Sequence, residues 1–174
     1  MRSPNDAEFT DFVHGAWPGL YRTAYLLVGD AGLAEDLVQT SLAKTYASWG
    51  DVREVSRARG YARTVLVNTA TSWFRRRSWR REVATTDITD RSVDATESDH
   101  TDRFVLTAAL AELPVRQRAV VVLRFYEDLS VEQTAEVLSI SPGTVKSQTS
   151  HALTKLRASL GTSYLSVEQG AHHD

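Results

Sequence analysis

Residues 82–102, EVATTDITDRSVDATESDHTD, constrain this chain more than any other stretch. They are rich in Thr, Asp and Ser, hold few apolar residues and show no helical period. A segment of that composition cannot bury enough apolar surface to offset the entropy lost on ordering it. At 21 residues it is also long for a loop inside one domain. It therefore reads as a linker. The 174-residue chain is expected to form two small domains, at 1–81 and 103–160, with a disordered tail at 161–174.

Charge sharpens this division. The formal net charge of −2 conceals a basic block followed by an acidic one. Residues 51–81 carry nine basic and two acidic groups, whereas 82–102 carry one basic and seven acidic groups. Within the basic block, SWFRRRSWRR (72–81) places five arginines and three aromatics in ten positions. Such a stretch is either a solvated helix face or a surface for an anion that also offers flat groups to stack on.

Several classes fall away. Without cysteine there is no disulfide, thiolate metal site or thiol catalysis, and a reducing cytoplasm fits. The N-terminus, MRSPNDAEF, lacks the apolar stretch of a signal peptide. No window approaches 18 uninterrupted apolar residues, so membrane insertion is not expected. No Gly-rich phosphate loop or marked Ser-His-Asp set is present, so no catalytic residue, metal site or cofactor is expected, and the chain is not read as an enzyme. His172 and His173 are assigned to the disordered tail.

The apolar periodicity is helical throughout, and the fold class expected is all-α. Phe9, Phe12, Val13 and Ala16 open one helix, and Pro18 is expected to begin a second as its first residue. Leu33, Leu37, Leu42, Thr45 and Tyr46 mark a helix over about 31–48. A polar loop, WGDVREVSRA (49–58), precedes a long helix over about 58–80, with Ala62, Val65, Leu66, Thr69 and Trp73 on one face. In the second domain one helix is expected over Phe104–Glu112, and another from Pro114 to about Tyr126. Ser130 with Gln133 forms a capping box for a third. Ser141-Pro142 supplies the cap and first turn of a fourth, ending near Leu160.

The last two helices form a helix-turn-helix over 130–157. Ala135 is small where crossing helices approach closely, Ile140 plugs the turn, and Val145, Thr149, Ala152, Leu153 and Leu156 form one buried face. The opposite face carries Thr144, Lys146, Ser147, Ser150, His151 and Lys155. Its hydroxyls can read base edges while lysine holds phosphate. These residues alone leave two readings open: a DNA-binding face, which would suit an operator-binding transcriptional regulator, or an ordinary αα-hairpin with a solvated face.

The motifs in order resemble a two-domain sigma factor of the extracytoplasmic-function (ECF) group of the sigma-70 family, in particular the actinobacterial SigE-family branch. The likeness covers about residues 7–160. LYRTAYLLVGDAGLAEDLVQTSLAKTYASW (20–49) resembles the segment that opens the σ2 domain and docks on polymerase, and GYARTVLVNTATSWFRRRSWRR (60–81) the segment that meets the −10 element. Residues 114–157 resemble the σ4 domain, which reads the −35 element.

The resemblance implies core RNA polymerase as partner, through its β′ clamp helices and β flap, together with promoter DNA. It also allows a cognate anti-sigma protein. Glu35, Asp36, Gln39 and Thr40 would pair with the clamp helices, with Leu37 as apolar anchor. Val52, Arg53, Glu54, Ser56 and Asn68 would surround a base flipped from the −10 element. Arg75, Arg76, Arg77 and Arg80 would track the adjoining phosphates, Trp73 would close the domain core, and Trp79 would stack or cover the helix end. At −35, Gln148 joins the six outward residues of the last helix. Two departures stand out. The family often has an aromatic in the 49–57 loop, where this chain has Val52 with Trp49 nearby. Many members run Lys/Arg-Ser-Arg in the recognition helix, where this chain has Lys146-Ser147-Gln148, then His151.

Overall fold

A computed structural model describes residues 4–83 and 99–170, with side chains described for 6–77 and 102–161. Among the described residues every element is helical, as expected for an all-α chain. None of these helices is long and apolar enough to cross a membrane. The chain divides into two compact units, one built on Met1–Ala84 and one on Thr85–Glu136 with Ile140–Asp174.

The first unit holds α1 (Pro4–Val28), α2 (Ala31–Ala47), a 3-10 turn (Trp49–Asp51) and α3 (Val55–Val83). Phe12, Ala16, Leu20, Ala24 and Leu27 are the buried stripe of α1. That stripe runs across Pro18, so no second helix starts there; Pro18 lies inside α1. Proline removes one backbone N–H and crowds the preceding turn, at about 3 kcal/mol. The continuous buried stripe offsets this, and Arg59 on α3 donates to the nearby Gly15 carbonyl at 3.0 Å. Gly29, at φ 71°, reverses the chain, and the Asp30 carboxylate caps α2 by accepting from the Leu33 N–H at 2.8 Å.

Trp49 is buried against Phe9 and Phe12, with ring centroids 4.9 and 5.0 Å away. This fixes the 3-10 turn and the loop that follows it. The long helix begins at Val55, three residues earlier than its apolar period suggests.

The second unit holds α4 (Asp99–Ala111), α5 (Val115–Val121), a π-helical turn (Val122–Tyr126), α6 (Val131–Leu138) and α7 (Pro142–Gly170). Arg118, 7% exposed, donates to the carbonyls of Leu110, Ala111 and Leu113 at 2.8, 3.0 and 3.1 Å, closing the end of α4. The helix expected over 114–126 is split: α5 widens into the π turn.

The linker expected at 82–102 is shortened at both ends by helix, and its residues 84–98 lie outside the described residues. The tail expected to be disordered from Gly161 is instead helical backbone to Gly170, since a single glycine costs a helix only about 1 kcal/mol. His172 and His173 lie outside the described residues.

Candidate nucleic-acid and partner interfaces

In the first unit, the 3-10 turn, the loop after it and the start of α3 enclose an open hollow of about 510 Å³. That size lies within the range of about 300–1,000 Å³ usual for small-ligand sites. Val52, Arg53 and Glu54 line it, together with Arg57 and Tyr61. Glu54 is paired with Arg57 at 3.0 Å, so its carboxylate is held at the rim. Ser56 is exposed at the start of α3 but does not line the hollow.

A second hollow, of about 370 Å³, lies further along α3 and includes Tyr61, Asn68 and Lys44. Asn68 is exposed, its amide free of any internal hydrogen bond among the described residues. Lys44 reaches from α2 and donates to the Thr69 hydroxyl at 3.1 Å, and that hydroxyl donates to the Val65 carbonyl at 2.7 Å. Tyr61, 41% exposed, lines both hollows. Trp49 offers no ring to either, because it is only 3% exposed.

Tyr61, Lys44 and Arg57 were not singled out from the sequence. A signal for Tyr61 exists, since positions 61, 65, 68 and 72 lie on one helical stripe that includes Asn68. Lys44 carries no such signal, because its place depends on how α2 crosses α3.

Arg75, Arg76 and Arg77 are exposed toward the end of α3. Three consecutive helical residues point in different directions, so they form a cationic collar rather than one stripe. Trp73 is half-buried. The side chains of Trp79 and Arg80 lie outside the described residues.

On α2, Glu35, Asp36 and Gln39 are exposed and Thr40 is half-buried. Leu37 is not part of this face: it is fully buried with Ala34, Val38 and Ser41. The expectation of an apolar anchor there is corrected, because the stripe containing Leu37 is consumed by the core.

In the second unit the capping box is reciprocal. The Ser130 hydroxyl accepts from the Gln133 N–H at 3.0 Å, and the Gln133 side chain accepts from the Ser130 N–H at 2.9 Å. α6 ends at Ser139, a non-glycine residue at φ 53°, with the Ile140 N–H donating back to the Ala135 carbonyl at 3.0 Å. The Ser141 hydroxyl then caps α7 by accepting from the Thr144 N–H at 3.0 Å. Val145, Ala152 and Leu156 are buried. Lys146, Ser147, Ser150, His151 and Lys155 are exposed, and Thr144 and Gln148 are half-buried. Thr149 and Leu153, expected in the buried face, are only half-buried, so the polar outward face is divided from a narrower buried stripe than the spacing predicts.

Comparisons with known proteins place both units in one family. The family model for Sigma-70 region 2 matches residues 12–80, and that for Sigma-70, region 4 matches residues 103–156. The chain is 42% identical over 153 residues to the RNA polymerase sigma-E factor of Streptomyces avermitilis, covering 88% of this chain and 85% of that one. It is 34% identical to the ECF RNA polymerase sigma factor SigL of Mycobacterium tuberculosis, covering 81% and 82%. Among solved structures, the sigma factor RpoE of Bartonella quintana, crystallised with the anti-sigma factor NepR, matches with a TM-score of 0.74 at 26% identity, covering 88% of this chain and 96% of that one. A hollowed helical unit with a cationic collar, followed by a capped helix-turn-helix, has the two regions in their expected order, and the chain belongs to the ECF sigma factors of the sigma-70 family.

Proposed function

We propose that the chain is the promoter-specificity subunit of RNA polymerase: it docks on the core enzyme, reads two promoter elements and helps open the DNA between them. The observation that carries this reading is the pair of hollows sharing Tyr61. A base extruded from duplex DNA needs a pocket, a flat surface and polar groups on its edge. Tyr61 supplies the surface, Asn68 an amide donor and acceptor, and Val52, Arg53 and Glu54 the mouth. Lys44 and the collar of Arg75, Arg76 and Arg77 supply cations for the neighbouring phosphates, with Arg80 and Ser56 assigned to the same path.

The α7 face, from Thr144 to Lys155, enters the major groove of the −35 element. The exposed acids Glu35 and Asp36, with Gln39 and Thr40, meet the basic β′ clamp helices, and the second unit meets the β flap. The chain works in the cytoplasm and makes no bond itself; the polymerase does the chemistry. A cognate anti-sigma protein is a further partner, supported by the likeness to RpoE, whose structure holds NepR.

The test is to mix the purified chain with core polymerase and a promoter library. Run-off transcripts that share a fixed spacing between two elements are expected. Asp36→Arg combined with Gln39→Ala is expected to abolish co-elution with core polymerase and leave helicity intact. Tight binding to one DNA element without polymerase, and no co-elution of the unaltered chain, would instead establish an operator-binding regulator.

A further inference from the structure

Among the residues that line the hollow beside Asn68, Lys44 alone carries a charge. No acid stands near it in sequence on either helix: residues 37–50, from α2 through the turn after it, and residues 55–81 of α3 hold none. The first hollow differs, since Asp51 and Glu54 line it. Both threonine hydroxyls of the second hollow are engaged as donors. Thr69 donates to the Val65 carbonyl at 2.7 Å, and Thr64 to the Gly60 carbonyl at 3.0 Å. The Lys44 ammonium gives one N–H to the Thr69 hydroxyl at 3.1 Å and keeps two. The exposed Asn68 amide adds two more N–H groups. The Ser72 hydroxyl can give or accept, so it selects nothing. With the Tyr61 ring as a flat wall, the hollow is a cationic place rich in free donors.

We propose that this hollow selects guanine, with Lys44 as the residue that determines the choice. The proposal rests on the reading that the strand opened at the −10 element passes here, and it names the base taken. Guanine carries two adjacent acceptors, O6 and N7, on the edge that lysine commonly reads. Lys44 gives one N–H to O6 and Asn68 one to N7, while the base lies against the Tyr61 ring. The third N–H of Lys44 is then left for the adjoining phosphate. Adenine presents its N6 amine where guanine has O6, which sets a donor against an ammonium with no carboxylate to receive it. Cytosine presents its N4 amine in the same way, and its acceptor O2 lies beside the bond to the sugar, away from the floor of the hollow. Thymine offers one acceptor, O4, beside a methyl group. A phosphate alone would satisfy Lys44 but leave the Tyr61 ring uncovered.

The test measures binding of core polymerase carrying the full chain to forked promoter DNA. Each of the four bases is placed in turn at every single-stranded position of the −10 element. One position is expected at which guanine binds about tenfold tighter than the other three, the usual discrimination of one good donor–acceptor pair. 7-Deazaguanine there, with C–H in place of N7, is expected to lose most of that advantage. Hypoxanthine, which keeps O6 and N7, is expected to retain it. Lys44→Met is expected to erase the guanine preference at that position and to leave the order of bases at other positions unchanged, which a merely structural role would not do. A guanine preference that survives both Lys44→Met and 7-deazaguanine overturns the proposal. So does a Lys44→Met loss equal for all four bases, which would make Lys44 a phosphate contact alone. If the assembled enzyme shows no base preference anywhere in the strand, the promoter reading itself fails and the choice of guanine falls with it.

Discussion

The Lys44 ammonium donates to the Thr69 hydroxyl at 3.1 Å, joining α2 to α3 among the residues that line the hollow beside Asn68. The bond holds a cation at a fixed place instead of leaving it to sweep the surface. Lys44→Met keeps most of the side-chain volume and removes the charge. It is expected to slow promoter opening and to reduce the salt dependence of binding to forked promoter DNA. Loss of one single-strand phosphate contact lowers the slope of log K against log salt by about 0.7. An unchanged slope would remove Lys44 from the path of the strand.

Lys146 stands exposed near the start of α7, one residue after the fully buried Val145. Lys146→Ala is expected to weaken binding to duplex −35 DNA across sequences alike. The salt slope should fall by about 0.9, the effect of one duplex phosphate. Fluorescence anisotropy at several salt concentrations measures it. A loss confined to one base sequence would mean that Lys146 reads a base edge.

Arg118 holds three carbonyls at the end of α4 from a buried position, and burial lowers its affinity for the proton. Arg118→Met leaves those acceptors without their donor. The second unit is expected to lose about 2–4 kcal/mol, less than three independent bonds would suggest, because neighbouring contacts are not additive. Arg118→Lys should recover little, since one ammonium cannot span three carbonyls. Urea denaturation followed by circular dichroism gives the difference directly.

Tyr46 donates its phenol proton to the Asp6 carboxylate, linking the end of α2 to the start of α1. Its pKa is raised from the ordinary 10.0, chiefly by that hydrogen bond, then by the Asp6 charge, then by burial. A raised value means the contact is intact below the ordinary tyrosine pKa and is lost as pH climbs through the folded value. Asp6→Asn should bring the Tyr46 titration back toward 10.0. Tyrosinate absorbance, compared against Tyr46→Phe, reads the shift.

Local signals were legible wherever one side chain and its own backbone decide the outcome. Ser130 with Gln133, and Ser141 with Thr144, are capping contacts within three residues, and both form at the positions their spacing predicts. The outward face of α7 was equally legible, because Val145, Ala152 and Leu156 repeat at helical spacing and are buried together. The order of the two family regions likewise followed from motifs spread along the chain.

Pro18 misled because a local rule met a longer one: proline disfavours a helix interior, but the stripe from Phe12 to Leu27 buries as a unit across it. Leu37 looked available for a partner because it neighbours Asp36, yet neighbours on a helix point about 100° apart and its stripe faces the core. By itself, then, the sequence determined the all-helical class, the caps of α6 and α7, the charge blocks and the outward polar face of α7. These depend on spacing within one helix or on composition. Only the tertiary structure decided that Trp49 is buried and Tyr61 is not, and that Lys44 reaches Thr69 beside Asn68. Those relationships span separate helices, and the crossing of two packed stripes is fixed by every side chain in the contact rather than by any one motif.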